Sequence, residues 1–209
     1  MKRRVYDVKK QTSNPFLNLY ELDMLSENGK HKPYYLASRI KDQEKLKLAT
    51  KENPSDGVII YSLYGPDLDQ VVLIRQYRCT IDDYIYEFPA GLVEKDETFQ
   101  IAGIRELKEE TGLDFTPVDV DGAFCRPYFT SIGMTDESCA MIYGTAQGEV
   151  SKRGQEETED IEFVLADRKE IRRILREENV SLMCAYMMMH FLATEPGHAF
   201  DFLKTDLDE

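Results

Sequence analysis

The chain of 209 residues predicts an α+β fold, and three observations carry the prediction. Two strongly β segments, "GVIIYSLY" from Gly57 and "QVVLIRQYR" from Gln70, flank the turn "GPDLDQ". One amphipathic helical pattern sits mid-chain, about Phe99 to Thr111, and stops at Gly112, a natural helix terminator. Two further helical patterns close the chain, at 167–177 and 179–194. A mixed sheet with one helix inside it and two after it belongs to the α+β or three-layer class.

In order, residues 3–9 and 17–25 read as strands, and "SENGK" (Ser26 to Lys30) reads as a turn on the Asn28-Gly29 hairpin signal. A strand about 33–39 completes a small β-hairpin module. Lys41 to Lys51 is charged and reads as a short helix or a loop. The mid-chain helix shows Ile101, Ile104 and Leu107 at helical spacing, which marks them as its apolar face. Strands are expected at about 117–126, 136–146 and 159–165, and 148–158 is a polar excursion. The 167–177 helix carries its charges outside. The 179–194 helix is apolar, and its Met run reads as core or dimer packing. The tail from Glu195 is acidic and expected to fray. The expected organisation is an N-terminal β-rich module (1–54), a central domain (55–178), and a C-terminal helix with an acidic tail (179–209).

A net charge of -13 argues against a nonspecific binder of nucleic acid or of an anionic membrane, because neutralising phosphates takes a basic surface. Small phosphate substrates stay open, since a divalent cation can bridge a phosphate and an acidic site. Cys79, Cys125, Cys139 and Cys184 show no CxxC spacing, so reduced thiols are expected rather than a disulfide framework or a zinc site. The start "MKRRVYDVKKQ" lacks the apolar run of a signal peptide, and Leu182 to Leu192 is too short to cross a bilayer. The expected location is cytoplasmic.

The segment "RELKEETGL" (Arg105 to Leu113) runs against helix electrostatics. Glu106 and Glu110 lie four apart, about 40° from each other around the helix, with Glu109 bordering the same face. Like charges at that spacing cost roughly 0.2–0.5 kcal/mol per pair. Carboxylates in the last turn also face the negative end of the helix dipole. A solvated acidic face with salt bridges to Arg105 and Lys108 is one reading. Upstream, Pro89-Ala90-Gly91 forms a turn and Glu97 precedes the helix. That arrangement favours the other reading, in which carboxylates and a turn carbonyl supply the oxygen ligands that Mg²⁺ or Mn²⁺ prefers.

From Gly91 to Leu113, "GLVEKDETFQIAGIRELKEETGL" resembles the Nudix box, Gly-x5-Glu-x7-Arg-Glu-U-x-Glu-Glu-x-Gly-U. Every specified position matches: Gly91, Glu97, Arg105, Glu106, Leu107, Glu109, Glu110, Gly112 and Leu113. The resemblance implies the Nudix fold and metal-dependent hydrolysis of a nucleoside diphosphate linked to another moiety. It implies Glu106, Glu109 and Glu110 as ligands of two or three Mg²⁺ or Mn²⁺ ions, joined by the Ala90 carbonyl. It makes Arg105 and Glu97 a supporting ion pair, and gives Gly91 and Gly112 backbone roles.

"IRQYR" (Ile74 to Arg78) and "YEFPAGLVE" (Tyr86 to Glu94) are similar to the ADP-ribose and ADP-sugar pyrophosphatase branch, which implies Arg78 and Glu87 as substrate-binding residues. "TSIGMTDES" (Thr130 to Ser138) resembles that branch's Ser-Pro-Gly-x-Thr-x-Glu loop, with Ile132 in place of its proline. The resemblance makes Glu137 the general base, with Asp136 as the competing choice. Tyr77, Tyr84, Phe88 and Tyr128 are candidates to stack on the base. The branch also implies a homodimer. The alternatives are a Nudix hydrolase for a dinucleotide, coenzyme A, GDP-mannose or a nucleoside triphosphate, and a noncatalytic Nudix-fold ligand sensor.

Overall fold

The structure is a computed structural model, and it describes residues 4–152, 154 and 160–207. The chain forms two compact units: residues 1–56 with 127–139, and residues 57–126 with 140–209.

The first unit is a three-stranded antiparallel sheet in the order β1-β2-β3, made of β1 (Val5–Lys10), β2 (Asn18–Leu25) and β3 (His31–Ser38). It is therefore a meander, one strand larger than a hairpin. The turn between β2 and β3 closes where Ser26 N donates to Lys30 O at 2.9 Å. Strand alternation puts Tyr20, Leu22 and Leu36 on one face. Leu46 covers them from a helical segment formed by a 3-10 turn at Gln43–Lys45 and α1 (Lys47–Thr50). The charged 41–51 stretch is thus helical, and Leu46 anchors it.

Residues 127–139 complete this unit. There β9 (Tyr128–Phe129) pairs with Ser138 and Cys139, and Ala37 N donates to Met134 O at 2.9 Å. A buried ammonium ties the pieces together. Lys47 Nζ reaches Ser138 Oγ at 2.5 Å, Asp56 Oδ2 at 2.6 Å, and Asn53 Oδ1 and Pro54 O at 2.9 Å each. Three ammonium protons therefore face four oxygens, so the buried group is fully hydrogen-bonded. Asp56 Oδ2 also accepts from Ser138 N at 2.9 Å.

The second unit is built on a sheet in the order β11-β5-β4-β10-β8. Its strands are β4 (Gly57–Tyr64), β5 (Gln70–Arg78), β8 (Asp114–Pro117), β10 (Ser138–Gln147, begun in the first unit) and β11 (Ile161–Ala166). In addition, β6 (Asp83–Glu87) pairs with β5 and β7 (Ala90–Leu92) with β4. Side-chain alternation splits the strands between two cores. Val58, Ile60, Val72 and Ile142 face α2 (Phe99–Thr111). Tyr61, Leu63, Val71 and Leu73 face α4 (Arg168–Glu177) and α5 (Leu182–Ala193). Among the described residues no helix is long and apolar enough to cross a membrane.

Three expectations need correction. The stretch 117–126 is not a strand: β8 ends at Pro117, and Gly122–Cys125 forms a one-turn helix, α3, capped by Asp121. The aromatic residues of the tail override its acidity. Ala199 and Leu203 are buried, and Phe200 and Phe202 pack edge-on to Tyr61 and Tyr143.

The apolar face of α2 is also not the one its isoleucines mark. Ile101 and Ile104 are 58% and 40% exposed, while Ala102, Gly103, Leu107, Glu110 and Thr111 are buried. Small residues win because they let the helix lie close on the sheet. A Cβ on Gly103 would stand 2.3 Å from Ile142 Cδ1. This rotation brings Glu110 inward.

Lys47→Met leaves Asp56 and Ser138 without their buried partner. It is expected to lower stability by about 3–5 kcal/mol, read as a fall in the urea midpoint. An unchanged midpoint would show that this ammonium does not hold the unit.

Candidate active site

Three elements of the second unit build the site: the turn into β7, the loop after it, and the last two turns of α2. Thr98 caps α2 at its N-terminus, its Oγ1 accepting from Ile101 N at 3.4 Å. Gly112 closes the other end with φ +79°, donating to Lys108 O at 2.9 Å. Between them Arg105 collects the carboxylates. Its Nε and Nη2 donate to the two oxygens of Glu97 at 3.1 Å each, a fork-to-fork pair. Its Nη1 donates to Glu106 Oε1 at 2.8 Å and Glu109 Oε2 at 3.0 Å. Nη2 also donates to Leu92 O at 3.2 Å, and Glu94 N donates to Glu97 Oε2 at 3.1 Å. One guanidinium thus fixes the loop, the strand end and two helix carboxylates.

Glu110 is 4% exposed, and its Oε2 accepts from Ala90 N at 3.2 Å. This bond joins the helix to the Pro-Ala-Gly turn. Gly91 is required by close approach: a Cβ there would lie 1.9 Å from the Glu106 carboxyl carbon and oxygen. The backbone of β7 therefore lies directly against the Glu106 carboxylate.

The hydrogen bond from Arg105, opposed by partial desolvation, holds Glu97 below the usual carboxylate range. Arg105 itself is pushed above its ordinary value, first by Glu97 and then by Glu106 and Glu109. The donor set formed by Glu106, Glu109, Glu110 and the Ala90 carbonyl is all oxygen, and in kind it fits a hard divalent cation. Among the described residues no three His, Cys, Asp or Glu side chains stand converged as a coordination group. Among the described residues, Arg105 is a cation that touches Glu97, Glu106 and Glu109.

The other expected residues fall elsewhere. Arg78 and Glu87, on adjacent strands β5 and β6, pair with each other at 2.7 Å. Glu137 and Asp136 belong to the first unit. There Glu137 accepts from Arg39 Nε at 3.2 Å and from Thr130 Oγ1 at 3.0 Å. Of the four aromatics considered for stacking, Phe88 is excluded. It is 2% exposed and packs edge-on to Tyr61 at 5.4 Å. Tyr77 and Tyr84 are tied to Asp82 and Asp160, and Tyr128 is exposed. The sequence gives no sign of Arg39, Asn53, Asp56 or Lys47, which hold the loop carrying Glu137. They lie in a charged stretch without periodicity.

Residues 53–183 match the NUDIX domain family. A nudix hydrolase of Caenorhabditis elegans is 34% identical over 123 residues, 56% of this chain and 54% of that one. The chain therefore spans about half the length of that relative. The ADP-sugar pyrophosphatase of Mus musculus is 30% identical over 147 residues, 66% of this chain and 67% of that one. A crystal structure of an ADP compounds hydrolase superposes with a TM-score of 0.59 at 18% identity, covering 85% of this chain and 84% of that one.

Two outcomes are expected from this geometry. The folded-state value of Glu97 lies below 4.5, so its contribution to stability is present above 4.5 and is lost as pH falls through the lowered value. Chemical denaturation across that acid range should show this limb in the wild type and a weaker one in Arg105→Met. Equal slopes would remove the Arg105–Glu97 pair as its source. In Gly91→Ala the clash meets the end of a flexible side chain, so Glu106 is expected to swing away with little change in Tm. Divalent-ion affinity should fall roughly 10–100-fold, measured by titration calorimetry, and unchanged affinity would disconnect this close approach from ion binding.

Proposed function

The chain belongs to the Nudix family, and from that premise we propose that it is a metal-dependent pyrophosphohydrolase acting on ADP-ribose or an ADP-sugar. One observation carries the reading. Arg105 grips Glu97 with both arms while touching Glu106 and Glu109, and Glu110 is buried on the Ala90 amide. A merely solvated acidic face has no use for a buried, backbone-anchored glutamate at its edge.

In this reading Glu106, Glu109 and Glu110, with the Ala90 carbonyl, hold two or three Mg²⁺ or Mn²⁺ ions. When bound, such ions neutralise charge on a pyrophosphate and acidify a water. The protein supplies the rest. Arg105 keeps the helix carboxylates and the loop in register through Glu97. The half-exposed Arg78, steadied by Glu87, offers a cation to the substrate. Glu137 takes the proton of the attacking water. ADP-ribose and water then give AMP and ribose 5-phosphate. The names of the mouse and Bacillus subtilis relatives, ADP-sugar pyrophosphatase and ADP-ribose pyrophosphatase, support this substrate class. A homodimer belongs to the same reading, supported by exposed Phe16, Leu17, Tyr34 and Tyr35 on the first unit. So does a reducing, cytoplasmic setting, with all four thiols unpaired.

The test is a hydrolysis screen over ADP-ribose, NADH, ADP-glucose and GDP-mannose with Mg²⁺ and Mn²⁺. Expected are turnover of ADP-ribose or ADP-glucose above the others, and its loss in Glu106→Gln and Glu110→Gln with folding intact. Near-wild-type turnover in either variant would overturn the metal assignment. Preference for GDP-mannose would overturn the substrate class.

A further inference from the structure

The segment after α5 returns over the core beneath α4 and α5. Arg168 Nη2 anchors its start by donating to Thr194 O at 2.7 Å. Beyond that point Ala199 and Leu203 are buried, and Phe200 and Phe202 pack against the core. Among the described residues, the backbone hydrogen bonds of this strap are local. His198 N donates to Glu195 O, Asp201 N to His198 O, Leu203 N to Phe200 O and Thr205 N to Phe202 O. Its charges are matched locally too, since Asp201 pairs with His198 and with Lys204 at 2.6 Å each. Apolar side chains therefore hold the strap down.

The two phenylalanines touch different neighbours. Phe202 stands edge-on to His190, Tyr143 and Phe124, with ring centroids 4.6, 5.6 and 6.0 Å away. Phe200 stands edge-on to Tyr61 at 5.9 Å, and Tyr61 stands edge-on to Phe88 at 5.4 Å. Tyr61 is fully buried, and Phe88 directly precedes the Pro89-Ala90-Gly91 turn. The turn lies along β4: Pro89 O accepts from Ile60 N at 2.9 Å, and Ala90 and Gly91 pair with Ile59 and Val58. It is thus gripped from both faces of the sheet. On one face Glu110 takes the Ala90 amide at 3.2 Å. On the other, Phe88 sits in an aromatic cluster whose partly exposed member is Phe200. A close-packed interior transmits a displacement rather than absorbing it.

We propose that Phe200 is a positioning residue for this turn: through Tyr61 it sets the depth of Phe88, and through Phe88 the place of Ala90. The proposal rests on the reading of the Ala90 carbonyl and the α2 glutamates as ion ligands. Removing the Phe200 ring opens a void beside Tyr61, into which Tyr61 relaxes. Phe88 follows, and the turn loosens against Glu110. Removing the Phe202 ring opens a similar void against His190, Tyr143 and Phe124, away from Phe88. A strap that merely covers the core predicts the same outcome for both phenylalanines, and a positioning role separates them.

The experiment reads the turn directly, by hydrogen exchange of the Ala90 amide in the full chain without metal and well below Tm. Phe200→Ala is the test variant, Phe200→Tyr keeps the ring, and Phe202→Ala controls for a general loss of packing. Phe200→Leu, which keeps bulk and deletes the ring, stands in if the alanine variant fails to fold. Expected is Ala90 exchange about tenfold faster in Phe200→Ala than in Phe202→Ala, with the Gly112 amide alike in both. Affinity for Mg²⁺ or Mn²⁺, by titration calorimetry, should fall roughly 3–30-fold in Phe200→Ala and stay within about twofold of wild type in Phe200→Tyr. Phe88→Leu combined with Phe200→Ala should cost less affinity than the two changes summed, because both act on one contact. Equal Ala90 exchange in the two alanine variants, unchanged affinity in Phe200→Ala, or additive effects with Phe88→Leu would overturn the positioning role. If the wild type binds neither ion, the metal reading fails, and Ala90 exchange alone decides whether Phe200 positions the turn.

Discussion

The geometry of the site depends on one guanidinium. Three glutamates within one and a half turns of α2 repel each other and the helix dipole, and the face they form would splay without a cation in it. Arg105 is that cation, and it is placed with economy. Because it also holds Glu97 and the Leu92 carbonyl, the charge that quiets the helix draws the preceding loop against it. Loop position and carboxylate position become one variable. Lysine would not serve, since a single ammonium cannot form a parallel pair with Glu97 and still reach Glu106 and Glu109.

The packing of α2 makes this arrangement necessary. The helix approaches the sheet through Ala102 and Gly103, and the same rotation carries Glu110 into the interior. A buried carboxylate must find a partner, and Glu110 finds the Ala90 amide. The turn that ends β6 and begins β7 is thereby set against the helix through a backbone group that no side-chain substitution can remove. Gly91 follows from this, because a turn held that close leaves no room for a Cβ beside Glu106.

Much of this was legible in the sequence, for physical reasons that differ by element. The bounds of α2 could be read because its signals are local: Thr98, an apolar period, and Gly112. The Arg105–Glu97 pair could be read from the motif. What could not be read was the direction in which α2 faces. Ile101 and Ile104 advertise the wrong side, and only the sheet opposite decides that small residues go in. The 117–126 stretch misleads for a similar reason. Its Val118 and Val120 look like a strand, yet Pro117 and the Asp121 cap turn the chain into a short helix. The tail misleads by composition, since Phe200 and Phe202 outweigh its acidic neighbours.

The least legible part is the loop carrying Asp136 and Glu137, because everything that fixes it is distant in sequence. Lys47, Asn53 and Asp56 grip Ser138 from more than 80 positions away, and Arg39 takes Glu137 from 98 positions away. None of these residues stands in a pattern. Their meaning comes from burial and from which charges remain after pairing. Two neighbours on this loop differ in their partners. Glu137 is held by an arginine and a threonine, which fix the direction of its carboxylate. Asp136 is buried, and its Oδ2 accepts no hydrogen bond from the described residues. Adjacent carboxylates on one loop thus acquire different surroundings from residues far away in the sequence.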